Sequence, residues 1–328
     1  MVLRESNPTA KAMYLPKLAL YPSRKCQQYQ YFIRVRLRQY SPNLLQTVRT
    51  SLSRGKNVLY KIEVMVIDLF KKLIANRNLL KNLVLRDLKY RYVGSVGGFL
   101  WSVIHPLVSF LSYTFVFTVI FPTRLGPESG TNSFAIFFFC GFLPWLLFSD
   151  TIMRNCLAIS DNAQLITKTI IPAEILPISI TISNFVHHLI GLGILLLVLT
   201  IFYSVPLSTL WIFLYIAMTL MLAQGIGWIV AGLHVFVRDT IQALQILMFL
   251  WFWFTPVLYS LDRLPANIRI FAEFNPMAII VTGYRNSLLH RAQPDVLEVA
   301  LVLAASIIVF VIGALLFRHA KPAFPDVL

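Results

Sequence analysis

The stretch from Asn82 to Leu107 holds the sharpest boundary in the chain. Up to Tyr92 it mixes Leu and Val with Arg86, Asp87, Lys89 and Arg91. Beyond the glycines Gly94, Gly97 and Gly98 it turns into apolar sequence headed by Phe99, Leu100 and Trp101. A helix lying along a membrane surface has the first character, and a helix crossing the membrane has the second. This boundary limits everything after it to a run of spanning helices and everything just before it to an amphipathic helix at the interface.

Composition agrees. Of 328 residues, 57% are hydrophobic and 13% charged, and the mean hydropathy is +0.71. That balance lies outside the range of soluble domains. The formal charge is +15, all of it upstream: by count, residues 1–98 carry 19 Lys/Arg against 4 Asp/Glu, and the remainder is balanced. The positive-inside rule then places the N-terminal region in the cytoplasm. Because the basic block leads straight into apolar spans, it fits anionic lipid headgroups better than nucleic acid. Cys26, Cys140 and Cys156 have neither metal-ligand spacing nor the look of a disulfide framework. The start of the chain lacks the apolar core and cleavage site of a signal peptide.

Residues 1–64, interrupted by Pro8, Pro16, Pro22 and Pro42, are expected to form a basic, flexible cytoplasmic extension. A coherent pattern begins at Met65, so a start there is a second reading, and the extension is expected to be dispensable. From Val66 apolar residues recur at spacings of three and four, with Lys71, Lys72, Arg77, Lys81, Arg86 and Lys89 on much of the other face. Residues 65–98 are therefore expected to be an amphipathic interface or gate helix, broken near Asn76–Asn78. An ordinary soluble amphipathic helix is the plainer reading; the span that follows favours the interface.

Spans are expected at 99–121, 134–152, 178–203, 210–237, 241–261 and 299–317. Residues 99–318 form one six-span domain, and 319–328 form a cytoplasmic tail behind Arg318. Pro106 should kink the first span, Gly141 and Pro144 should break the second, and Gly225, Gly227 and Gly232 permit close helix approach in the fourth. Residues 154–177 form an inner loop in which Pro172 and Pro177 bracket a brief helix. Arg238-Asp239 is a tight inner turn. Asn275-Pro276 divides a long outer segment, where Arg263, Arg269, Arg285 and Arg291 run against the inside bias. The expected fold is an all-α polytopic membrane protein with six transmembrane helices. An N-terminal amphipathic interface helix precedes them, and two short outer-face helices lie between spans five and six.

Chemistry is sparse. Gly55-Lys56 lacks the earlier glycine and the following Ser/Thr of a P-loop, so ATP hydrolysis by that route is not expected of this chain. There is no HExxH, no nucleophile elbow and no carboxylate pair within a span. His187-His188, with Asn184, lies mid-span. A neutral His bonded to a neighbouring helix is favoured over a proton relay, because no carboxylate partner is visible in the spans.

Several stretches, in order and at compatible spacing, carry a family resemblance. They are Leu85-Arg86-Asp87-Leu88-Lys89 with Arg91-Tyr92, then Ser95, Gly98, Leu100-Trp101 and Pro106-Leu107. They continue with Ile171-Pro172 and Ile175-Leu176-Pro177, Arg238-Asp239, Asn275-Pro276 with Tyr284-Arg285, and finally Lys321-Pro322, Phe324 and Asp326-Val327-Leu328. Residues 79–328 resemble the membrane subunit of type-2 ABC exporters of cell-surface polysaccharides: O-antigen, capsule and teichoic acid. Two departures stand out: Gly97 where an apolar residue is usual, and residues 1–64, which have no counterpart.

The resemblance implies a transport subunit rather than an enzyme, located in the bacterial inner membrane with both termini cytoplasmic. It implies a second copy of the chain and two separate ATP-binding cassette subunits, with ATP and Mg on those partners and no cofactor or metal on this chain. Asn162, Lys168, Pro172 and Glu174, with Arg238 and Asp239, would couple to the ATPase; a plain connecting loop is the alternative. Arg86, Lys89 and Arg91 would favour the pyrophosphate of a lipid-linked polysaccharide, although membrane anchoring explains those charges as well. Gly94, Gly97 and Gly98 would form a hinge. Trp101, Trp145, Trp251, Trp253, Phe254 and Tyr259 are candidates for a path on which sugar rings slide, against the plainer reading that they face lipid or core. Two rivals remain: a membrane enzyme acting on lipid-linked sugars through Asp150 or Asp161, and an exporter of a small molecule or drug.

Overall fold

The computed structural model describes residues 68–69, 71–90, 100–120, 131, 133–168, 171–202, 207–261, 264–265, 267, 269, 272, 274–290 and 293–328. The extension 1–64, Arg91 and the glycines Gly94, Gly97 and Gly98 lie outside them. The chain divides after Leu69, and Phe70–Leu328 forms one unit. Its described residues are helical, with no strand among them.

A helical stretch over residues 71–75 leads into α1, Arg77–Tyr90. The expected break is a single residue: the Asn76 N–H donates to Lys72 O (3.0 Å) and Leu80 N–H to Asn76 O (2.9 Å), so the ladder continues across it. Leu83 is buried on the face that packs against the long helix Ile175–Phe202, while Arg86 and Lys89 are exposed. The three- and four-residue spacing of the apolar positions is what turns one side of α1 to its neighbour.

Four helices are long and apolar enough to cross a bilayer: α3 (Phe134–Leu157), α5 (Ile175–Phe202), α6 (Ile212–Phe236) and α9 (Val296–Ala320). Between α3 and α5 lie a 3-10 turn, Ser160–Asn162, and the short helix α4, Ala163–Lys168. Two apolar helices are shorter: α2, Trp101–Phe115, which continues as a π-helical turn to Ile120, and α7, Thr240–Phe254. Among the described residues the remaining α-helices are α8 (Pro276–Arg285), with a π-helical turn over Asn286–His290, and the terminal α10 (Phe324–Val327).

The second span is longer than expected and unbroken: α3 runs through Gly141 and Pro144 to Leu157. It is the most buried of the four long helices, with 72% of its most apolar window buried against 22% for α9, and the packing of neighbouring helices keeps it helical past the proline. Its first turns carry Phe134, Phe138 and Phe139. These receive Phe117, Tyr113 and Phe110 of the α2 segment at ring separations of 4.4, 4.3 and 5.1 Å. Spacings of three and four on α2 put these rings on one stripe, and that stripe docks the helix.

The α6 helix packs against both α3 and α9. At the α6–α9 crossing, a Cβ added at Gly225 would lie 2.6 Å from the Val309 carbonyl oxygen and 2.7 Å from the Phe310 backbone, and Gly313 faces Gly225 in return. Only glycine allows the two backbones this close.

The fifth apolar segment stops early. α7 ends at Phe254, seven residues short of the expected Leu261. Pro256 has no N–H to continue the helix. Residues 255–259 instead turn inward, where Thr255, Pro256 and Val257 are buried. At 15 residues α7 is about 22 Å long.

Candidate functional site

One end of the bundle gathers α1, residues 158–168 and 171–174 of the 158–174 segment, and the C-terminal tail. Arg154, in the last turn of α3, is its centre. Its Nη1 donates to Asn184 Oδ1 on α5 (2.9 Å), and its Nη2 pairs with the Asp87 carboxylate on α1. Asn184 Nδ2 donates in turn to Thr151 Oγ1 (3.2 Å), and the Ser183 hydroxyl donates to the Val84 carbonyl (3.4 Å). Helices α1, α3 and α5 are thus joined by one polar chain. Arg154 and Asp87 are partly buried, so solvent screens this pair less than an exposed one.

Two further contacts tie α1 and its leading stretch to the 158–174 segment. Arg86 Nη2 donates to Asn162 Oδ1 (2.8 Å), and Asn162 Nδ2 donates to Ala158 O (2.9 Å), which fixes the amide facing Arg86. At the other end of the segment Glu174 sits between Lys321 Nζ (2.8 Å) and Lys72 Nζ (3.7 Å). Burial alone would raise the Glu174 carboxyl. The hydrogen bond from Lys321, a backbone hydrogen bond and the two ammonium charges outweigh it and hold the pKa below the ordinary value. A cavity of about 620 Å³ opens beside these contacts, walled by Leu83, Arg86, Asp87, Arg154, Asn162 and Ser179.

The structure therefore places Arg86, Asn162 and Glu174 at one end of the bundle in two groups, Arg86 with Asn162 and Glu174 with Lys72 and Lys321. Pro172 begins the turn into α5, accepting the Ile175 N–H at 3.0 Å. Lys168, at the end of α4, is exposed, as are Arg238 and Asp239 in the turn between α6 and α7. Sequence reading singled out Arg86 and Glu174 but missed Asp87, Arg154 and Lys72 as their neighbours. Arg154 was placed there only as the first residue of the inner loop; a charged residue following directly on an apolar run was the available signal.

The opposite end of α3 holds a second knot, built on the Asn275-Pro276 and Tyr284-Arg285 pairs. Asn275 caps α8: its Oδ1 accepts the Met277 N–H and Trp251 Nε1–H, both at 3.0 Å, with Pro276 at the first helical position. Its Nδ2 donates to Thr255 Oγ1 (3.1 Å). Arg285 is not an outer-surface charge. It is 4% exposed, stacks 3.7 Å over the Phe137 ring, and donates to the carbonyls of Phe137 (3.2 Å), Pro256 (2.5 Å), Val257 (2.6 Å) and Tyr259 (3.3 Å). Tyr284 Oη lies 3.1 Å from His188 Nε2, so His188 meets a neighbouring helix.

The aromatic candidates separate. Trp145 is buried against Phe148 and Phe252, and Trp251 is committed to Asn275. Trp101, Trp253 and Phe254 are exposed, and the Tyr259 hydroxyl donates to the Trp253 carbonyl (2.8 Å).

A bundle of apolar helices with satisfied polar knots at its two ends defines an integral membrane protein. Its match to known proteins is more specific: residues 78–289 match the family described as ABC-2 type transporter, and the chain belongs to that family. It is similar to the O-antigen export system permease protein RfbA of Myxococcus xanthus, with 30% identity over 264 residues that cover 80% of this chain and 99% of that protein. It is also similar to the protein of the same name from Klebsiella pneumoniae, 27% identical over 74% of this chain and 92% of that protein.

Proposed function

We propose that this chain is the permease subunit of an ATP-driven exporter that moves a lipid-linked polysaccharide of the O-antigen class across the bacterial inner membrane. The observation that carries the reading is the near-full-length likeness to a permease named for O-antigen export, at 99% of that protein's length. In this reading α2 and α7 join the four long helices as six crossings, with both termini cytoplasmic. Two copies enclose the path. Two separate cassette subunits bind ATP and Mg and act on the 158–174 segment and the Arg238-Asp239 turn. The exposed Arg86 and Lys89 border the side from which an anionic lipid carrier approaches, with Trp253 and Phe254 on the flank of the path.

Deleting the gene in its host should abolish surface O-antigen and leave the lipid-linked polymer inside the cell, and the intact gene should restore export. Immunoblots of surface and intracellular polymer measure both. Unchanged surface polymer with altered drug sensitivity would instead mark a small-molecule exporter. Loss of polymer synthesis itself would point to the membrane-enzyme alternative.

A further inference from the structure

Two polar rungs join α3 to α5, one helical turn apart. The first is Thr151 with Asn184, part of the chain around Arg154. The second reaches a third helix. Asn155 Nδ2 donates to Thr181 Oγ1 at 3.2 Å, and the same hydroxyl lies 2.5 Å from the Gln224 carboxamide on α6. These side chains are shut away from solvent: Asn155 is 0% exposed and Gln224 4%. Gly227, one turn further along α6, leaves the room that the Asn155 amide fills.

The hydrogens at this second rung decide what else belongs there. The Thr181 hydroxyl has one proton to give. It lies within reach of two groups, the Pro177 carbonyl at 3.1 Å and the Gln224 amide at 2.5 Å. Both are satisfied when the hydroxyl donates to Pro177 and the Gln224 NH2 group donates to Thr181 Oγ1. The amide atom of Gln224 that points away from Thr181 is then its carbonyl oxygen. Neither that atom nor Asn155 Oδ1 has a partner among the described residues. Two buried acceptors thus flank one hydroxyl, and buried acceptors without donors are costly. No side chain of the three is charged, so the set suits a small neutral donor and not a metal ion. Water carries two hydrogens and fits between packed helices.

We propose that a single bound water seated beside Thr181 joins α3 to α6, donating one hydrogen to Asn155 Oδ1 and the other to the Gln224 carbonyl oxygen. The cavity of about 620 Å³ gives it a way in, because Leu157, Ala158, Leu176, Ser179 and Ile180 line that cavity along the same stretches of chain that carry Asn155 and Thr181.

The test uses the full-length protein in lipid nanodiscs, imaged at a resolution that shows ordered water elsewhere in the map. A peak should stand about 2.7–3.2 Å from the carboxamides of both Asn155 and Gln224. Gln224→Met, which keeps the volume and removes the amide, should abolish the peak with the helices in place. Absence of the peak in the unaltered protein overturns the proposal, as does a map in which both oxygens meet protein donors. A peak about 2.0–2.6 Å from several oxygens is a metal ion and overturns it as well. The melting temperature gives a second readout. Gln224→Met should lower it by about 3 °C or more, because a water that served two helices is lost. A melting temperature that stays level or rises overturns the proposal, since the methionine would then have removed only an acceptor that had no donor. Neither readout depends on what the protein transports.

Discussion

Arg285 shows what one side chain does for a chain that leaves its helix inside the membrane domain. Pro256 ends α7, and the carbonyls of Pro256, Val257 and Tyr259 lose their helical partners; the guanidinium collects all three, along with that of Phe137 from the start of α3. Irregular backbone survives at such depth only where protein groups satisfy it. Arg285→Met should therefore lower unfolding stability by about 3 kcal/mol or more, the cost of several buried acceptors left without donors. Thermal unfolding in detergent would measure it. Arg285→Lys should recover only part, because an ammonium cannot spread over four carbonyls as the planar fork does. None of this was legible in the sequence. Arg285 read there as an outer charge, because its acceptors are backbone atoms 26 to 148 residues away, and backbone acceptors leave no mark on residue identity. The Asp87–Arg154 pair was hidden in the same way, across 67 positions.

At the scale of elements, sequence and structure agree where periodicity and length govern, and part where a partner decides. The long apolar runs became α3, α5, α6 and α9 because a long apolar run out of water satisfies its own backbone only as a helix, which needs no special residue. Of the glycines in the fourth run, Gly225 makes the close crossing of helix on helix, whereas Gly227 makes room for the Asn155 side chain and Gly232 has only ordinary contacts. The sequence did not show which helix would make that contact. Gly225→Val should force α6 and α9 apart, costing about 1–3 kcal/mol or more because the obstruction is backbone and cannot rotate away. Gly193→Ala, where nothing lies within 4 Å, should be close to neutral. Folded yield after size-exclusion chromatography, and melting temperature, would separate the two. Pro144 was misread because a proline in an isolated helix and one packed on all sides have different consequences.

Across the whole molecule, the ends of α3 hold the two polar knots about 25 Å apart, since Phe137 and Arg154 stand 17 residues along one helix. The turn after α6 belongs with the tail, for Phe236 packs on Phe324 at 6.2 Å. With Cys26→Ser as background and Cys140 and Cys156 buried, cysteines at Asp161 and Asp239 should react with an impermeant thiol reagent from the cytoplasmic side, and one at Phe274 from the opposite side. Labelling of all three from one side would exclude the six-span arrangement.

The shortness of α7 has a consequence for the lipid around it. A helix of about 22 Å beside a hydrocarbon layer of about 30 Å leaves about 8 Å of mismatch, and at a fraction of a kcal/mol per Å the bilayer yields before the helix does. With α7 as one of the six crossings proposed above, lipid along this flank, next to the exposed Phe249, Trp253 and Phe254, would be drawn thin. Acyl chains there would be compressed and the two headgroup layers would lie closer together. A polar headgroup would then have less oil to traverse beside α7 than along the longer helices.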